Sequence, residues 1–166
     1  MRVGESPIFR GLEASQLDAL VAECTRRDLG AGEMLIARGS HGGELYFLIA
    51  GKLRVFVIER GAETELATLS PPAVVGEMEF LTGHERVASV AVVEPATVLA
   101  LPFTHLRAHI DAGDPAWLRV MFNLATVIAD RLDKTIRMLG EVEGASHPRA
   151  RELADFKRKL FSEWSF

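Results

Sequence analysis

A glutamate and an arginine nine residues apart, Glu77 and Arg86, stand in the segment GEMEFLTGHERVASV, residues 76–90. A guanidinium can hold a phosphate through two parallel charge-assisted hydrogen bonds. A carboxylate cannot bind that phosphate, but it accepts hydrogen bonds from a hydroxyl. One anion fork beside one hydroxyl acceptor suits a sugar phosphate. Gly76 permits close backbone approach. The run Glu77, Met78, Glu79, Phe80, Leu81 then reads as the start of a helix, whose first N–H groups lack intrahelical partners and favour an anion. Arg86 lies beyond the turn at Gly83 and opens the run ValAlaSerValAlaValVal, which reads as a strand. The plainer alternative is that Glu77 complements the helix dipole while Arg86 pairs with it or with Glu85 on the surface.

These residues resemble the phosphate-binding cassette of the cyclic-nucleotide-binding domains found in catabolite activator proteins and in the regulatory subunits of cAMP-dependent protein kinase. That cassette reads roughly F-G-E-L-A-L-L, a few variable residues, then R-A-A-S/T-V. Gly76, Glu77 and Met78 match its start, and Arg86, Ala88, Ser89 and Val90 match its end. Residues 45–57, LYFLIAGKLRVFV, look like the family's central hairpin with its turn glycine at Gly51. The resemblance covers roughly residues 7–140. It implies that Glu77 holds the ribose 2′-hydroxyl, that Arg86 holds an equatorial oxygen of a cyclic phosphate, and that the amides near Met78, Glu79 and Ala88 hold the rest. It also implies a cyclic nucleotide as ligand. Val87 offers no hydroxyl to a guanine amino group, where family members selective for cGMP often carry Thr, so cAMP is expected ahead of cGMP. Three positions depart from the pattern. Glu79 stands where the family normally has a small residue, and its charge would weaken an anion seat unless it points to solvent. Val75 replaces an aromatic residue, and the pair Pro71-Pro72 replaces a Gly-Asp.

The surrounding elements must position this segment. Residues 6–21 read as a short turn and an amphipathic helix with Ser15 as N-cap. From about 24 to 102 the chain consists of short apolar runs broken by turn residues, which indicates an antiparallel barrel or sandwich. The resemblance specifies a jelly-roll, a mainly β fold flanked by helices. After Pro102 a helix begins, with Thr104 as a candidate cap, and Asp114-Pro115 reads as the N-cap and first position of a long helix over about 115–143. Leu118, Ala125, Leu132 and Leu139 recur there at spacing seven, with Met121, Ile128 and Thr135 between them. A sustained heptad predicts a coiled-coil-like seam and a parallel homodimer, as the resemblance also implies. By the same resemblance, Arg131 and Thr135 fall where activator-type members reach the ribose and the adenine; the alternatives are a solvated arginine and a seam threonine. Residues 1–143 are therefore read as one cyclic-nucleotide-binding domain. Residues 144–148, GASHP, read as a linker and 149–164 as an amphipathic helix that packs on the barrel, across a dimer or on a partner.

Composition narrows the function further. The chain has 166 residues and a net charge of −4, which gives no general pull toward nucleic acid or an anionic membrane. No apolar run approaches the length of a membrane span and the start lacks a signal sequence, so a cytoplasmic protein is expected. Cys24 is the sole cysteine and reads as a small buried hydrophobe. The five histidines show no trustworthy metal-ligand spacing, and no metal is expected. No Walker loop, nucleophilic triad or carboxylate pair supports an enzyme. A helix-turn-helix module needs about 60 residues for its own core, but twenty-six follow Gly140, so direct DNA binding is not expected. Two readings compete: a stand-alone sensor that passes cyclic-nucleotide occupancy through the long helix to a protein partner, and a ligand-free dimeric interaction module on the same fold.

Overall fold

A computed structural model of the chain describes Gly4 and residues 6–144, with side chains as far as residue 137. In order it forms a 3-10 turn (Pro7–Phe9), α1 (Ala14–Ala22), β1 (Thr25–Leu29), β2 (Met34–Ile36), β3 (Glu44–Glu59), β4 (Ala62–Leu69), β5 (Ala73–Val75), α2 (Glu77–Thr82), β6 (Ser89–Pro102), α3 (Phe103–Asp111) and α4 (Pro115–Gly144). The fold is mainly antiparallel β with flanking helices, as expected.

Two long strands organise the sheet. β3 pairs with the whole of β6, from Glu44 opposite Pro102 to Phe56 opposite Ser89, and the register slips between Leu48 and Leu53. On one side of the slip β5 joins β3 and β1 joins β6; on the other, β4 joins β3 and β2 joins β6. Each long strand therefore serves both halves of a jelly-roll, and the shift in register supplies the bend between them. The interior is filled by Leu48, Leu53, Val90, Val92, Val98 and Ala100 from these two strands, with Ile36, Tyr46 and Val75 beside them.

Several expected boundaries move. Residues 45–57 are one continuous strand, so Gly51 is a kink within β3 and does not turn a hairpin. The runs around Val90 and Val98 likewise belong to the single strand β6, continuous through Pro95. The hairpin turn lies instead at Arg60-Gly61, with φ of 52° and 80°, between β3 and β4. Two consecutive positive φ values define the type I′ geometry that matches strand twist. Arginine tolerates that region poorly, so Arg60→Asn should raise stability by about 0.5 kcal/mol, read as a higher urea midpoint at unchanged slope.

The helix starts follow local chemistry. Glu13, not Ser15, is the N-cap of α1, and Gln16 reaches back to accept its N–H at 2.9 Å. α3 begins at Phe103 after Pro102, ahead of Thr104. α4 begins at Pro115 as expected: Asp114 Oδ1 accepts the Ala116 N–H at 2.9 Å. The chain divides into two compact units, Met1–Leu124 and Ala125–Phe166. In the first, Trp117, Val120 and Leu124 of α4 are buried, and the Asn123 amide donates to the carbonyls of Ile8 and Arg10, both at 2.9 Å. Leu118 and Phe122, one turn apart, stay 45% and 69% exposed. In the second, Ile128 and Leu132 are half-buried and Thr135 is exposed. The side chain of Leu139, the residues from 145 and the amphipathic helix expected over 149–164 lie outside the described region.

Candidate functional site

The site forms where α2 and the loop after it meet the β2–β3 loop, residues 37–43. α2 is bounded by two glycines in the left-handed region, Gly76 (φ 95°) and Gly83 (φ 71°). Gly76 has a second constraint: a Cβ there would overlap Arg86 Nη1 and stand 2.8 Å from the Glu44 carbonyl oxygen. After α2 the chain runs against the β2–β3 loop. Gly39 N–H donates to the Arg86 carbonyl at 2.8 Å, and Arg86 N–H donates to the Ser40 carbonyl at 2.9 Å. These two bonds fix the backbone from which the Arg86 side chain turns inward.

Arg86 is 5% exposed. Its Nε lies 2.6 Å from Glu79 Oε2, and its Nη2 donates to the Glu44 carbonyl at 2.7 Å. The rings of Tyr46 and Phe103 flank the guanidinium at 5.9 and 5.7 Å. Its Nη1 is buried and has no hydrogen-bond partner, alone in this among the described side-chain nitrogens and oxygens. An orphaned buried donor costs about 1–3 kcal/mol, so structures seldom leave one without a role. Glu44 steadies the pocket wall: its carboxylate accepts Arg27 Nη2 at 2.6 Å and the Tyr46 hydroxyl at 2.8 Å. Burial, then the bond to Glu44, pushes the Tyr46 phenol up.

Glu79 does not point to solvent. It is 6% exposed, and it accepts the N–H groups of Gly42 at 3.0 Å and Gly43 at 3.3 Å as well as Arg86 Nε. His41 Nδ1 lies 3.6 Å away. The alternative of a surface pair between Arg86 and Glu77 or Glu85 is replaced by a buried pair with Glu79. Glu77 is buried and already engaged within the chain. Met78 and Val87 are 40% and 55% exposed, and Ala88 is half-buried. Ser89 Oγ accepts the Arg38 N–H at 3.1 Å, which ties the end of the cassette to the same loop. Arg131 and Thr135 belong to the second unit, where the Thr135 hydroxyl donates to the Arg131 carbonyl at 2.9 Å. A cleft of about 590 Å³ opens beside the site, lined by Arg38, His41, His84, Glu85, Arg86 and Val87.

Sequence reasoning missed Gly42, Gly43 and Glu44, which supply the donors to Glu79 and an acceptor for Arg86. Their one visible signal is the Gly-Gly pair immediately before a strand, a place where backbone amides lie open to a polar group. No group of three or more potential metal ligands is present among the described residues. Cys24 donates to the Leu20 carbonyl at 3.4 Å, and burial pushes its thiol up to about 12, far from a reactive thiolate. No helix among the described residues is long and apolar enough to cross a membrane.

The family "Cyclic nucleotide-binding domain" matches residues 26–112, and the chain belongs to that family. The chain is 37% identical over 128 residues to the cyclic AMP receptor protein of Thermus thermophilus, covering 76% of this chain and 57% of that protein. It is 32% identical over 130 residues to glutaminase 1 of Bradyrhizobium diazoefficiens, where the match covers 78% of this chain and 21% of that protein. Among solved structures, the Thermus thermophilus catabolite activator protein superposes with a TM-score of 0.72 at 33% identity, over 82% of this chain and 63% of the other. The chain thus spans less than two thirds of the length of these relatives.

Proposed function

We propose that this cyclic-nucleotide-binding regulatory domain takes cAMP in preference to cGMP and passes occupancy through α4 to a partner surface. The observation that carries the reading is Arg86: a fully enclosed guanidinium, wedged beside Gly76 at the start of α2, with Nη1 lacking an acceptor. A cyclic phosphate supplies that acceptor and one negative charge. Glu77 and the amides near Met78, Glu79 and Ala88 take the roles that the family resemblance implies for ribose and phosphate. The preference for cAMP rests on Val87 and on the similarity to a cyclic AMP receptor. Transmission follows if the ligand favours one placement of α4 over another.

Calorimetry against cAMP and cGMP, with Arg86→Ala as control, tests the reading. The expected result is about one cAMP per chain, weaker binding of cGMP and loss of both in the variant. A second reading, a ligand-free interaction module, is favoured by one observation: Glu79 already neutralises Arg86. Absence of heat from folded wild-type protein would select it.

The apolar heptad of α4, with Leu118 exposed, supports a parallel homodimer. Leu132→Glu should then give monomers in sedimentation velocity, because like charges would face each other across an apolar seam. A dimer that survives would place the interface elsewhere.

A further inference from the structure

The phosphate-binding role leaves the Glu79 side chain unexplained. Its carboxylate holds one edge of the Arg86 guanidinium at 2.6 Å and the main-chain N–H groups of Gly42 and Gly43 at 3.0 and 3.3 Å. A guanidinium and two adjacent amides are the donors that a phosphate oxygen seeks. The chain has placed its own anion among them. A second anion on the same guanidinium would sit beside this buried carboxylate, where the local dielectric is low and like charges repel strongly. Phosphate and Glu79 therefore compete for Arg86.

We propose that Glu79 is a tethered competitor: binding of a cyclic nucleotide exchanges carboxylate for phosphate on Arg86, and the departure of Glu79 releases the amides of Gly42 and Gly43. The inference rests on the ligand reading above and deepens it in two ways. The intrinsic affinity of the clamp is masked by an internal ligand, so the domain responds only to nucleotide concentrations high enough to displace it. The β2–β3 loop also becomes a surface that registers occupancy. Its middle stays tied through Gly39 and Ser40 to the Arg86 backbone and its end through the Gly43 carbonyl to the Phe103 N–H at 2.8 Å, while the amides of Gly42 and Gly43 lose their acceptor.

The test is calorimetry with cAMP on wild type, Glu79→Gln and Glu79→Ala at one pH and salt concentration, together with amide hydrogen exchange at Gly42 and Gly43. Glu79→Gln removes the charge at nearly constant volume, so it guards against a folding defect in the alanine variant, and circular dichroism melts verify both. The variants should bind at least about tenfold more tightly than wild type. The two glycine amides should be protected in ligand-free wild type and should exchange faster after cAMP is added, or in Glu79→Ala alone. Equal or weaker binding by the variants, with wild type still binding, overturns the competitor and leaves the ligand reading intact. Unchanged protection of both amides at cAMP saturation also overturns it. No binding by any of the three folded proteins overturns the ligand reading and the competitor with it.

Discussion

Arg86→Ala is expected to lose most cAMP binding and, in the same protein, about 3 kcal/mol of stability. The first loss follows from the charge-assisted bonds to phosphate, each contributing about 1.5–3 kcal/mol. The second arises in the ligand-free fold. With the guanidinium gone, Glu79 keeps the amides of Gly42 and Gly43, with His41 Nδ1 at 3.6 Å, and is a buried carboxylate that has lost its guanidinium partner. Removing one partner of a buried ion pair typically costs about 3–5 kcal/mol, whereas removing both costs much less than the sum of the two singles. The pair Glu79→Ala/Arg86→Ala should accordingly unfold at a higher denaturant concentration than Arg86→Ala alone, despite deleting more side chain. A double variant no more stable than Arg86→Ala would mean that Glu79 does not depend on the arginine for its burial. The binding and stability effects are separable, because the double variant regains stability without regaining the phosphate fork.

The contrast between Arg86 and its partners explains how far the site was legible in the sequence. Gly76, Glu77 and Arg86 are close in the chain, and their types suggested a left-handed glycine, which the fold shows, and the hydroxyl acceptor and anion fork on which the proposed ligand reading rests. The N-cap at Asp114 was legible for the same reason, since the bond it makes reaches only to Ala116. The burial of Glu79 was not legible. It depends on the Gly42 amide, thirty-seven residues earlier, and the acceptor for Arg86 Nη2 is the carbonyl of Glu44, forty-two residues earlier. No local pattern encodes which loop a carboxylate will meet. β1 escaped notice for a different reason: its sequence TRRDL carries three charges and buries no residue fully, so the apolar alternation that marks a strand is absent. It is held by pairing with the C-terminal half of β6, from Thr25 opposite Ala100 to Leu29 opposite Ala96.

Gly51 is the position where a local signal pointed to the wrong structure, and its substitution should cost as much stability as that of Arg86. A glycine between two apolar runs reads as a turn, because both a hairpin turn and a strand kink need a residue that accepts positive φ. The choice between them is made by what lies opposite. Here β3 continues past Gly51 (φ 85°) while its register against β6 slips, and the glycine comes against the backbone at Pro95 and Ala96. A Cβ at residue 51 would run into the Pro95 carbonyl oxygen and stand 2.5 Å from the Cα of Ala96. Those obstacles are backbone, which cannot swing aside as a side-chain tip can. Gly51→Ala should therefore cost about 3 kcal/mol, combining left-handed strain with displacement of the β3–β6 pairing. Equilibrium unfolding in urea measures it. Loss should extend to the ligand site, because the bend at Gly51 sets where the N-terminal half of β3, and with it Glu44 and Tyr46, meets Arg86. Gly61→Ala, at the true hairpin turn, shares the positive φ but has open space around its Cβ, so strain alone should make it the milder change. If the two variants lose equal stability, the close approach to Pro95 contributes nothing and the kink is explained by backbone conformation alone.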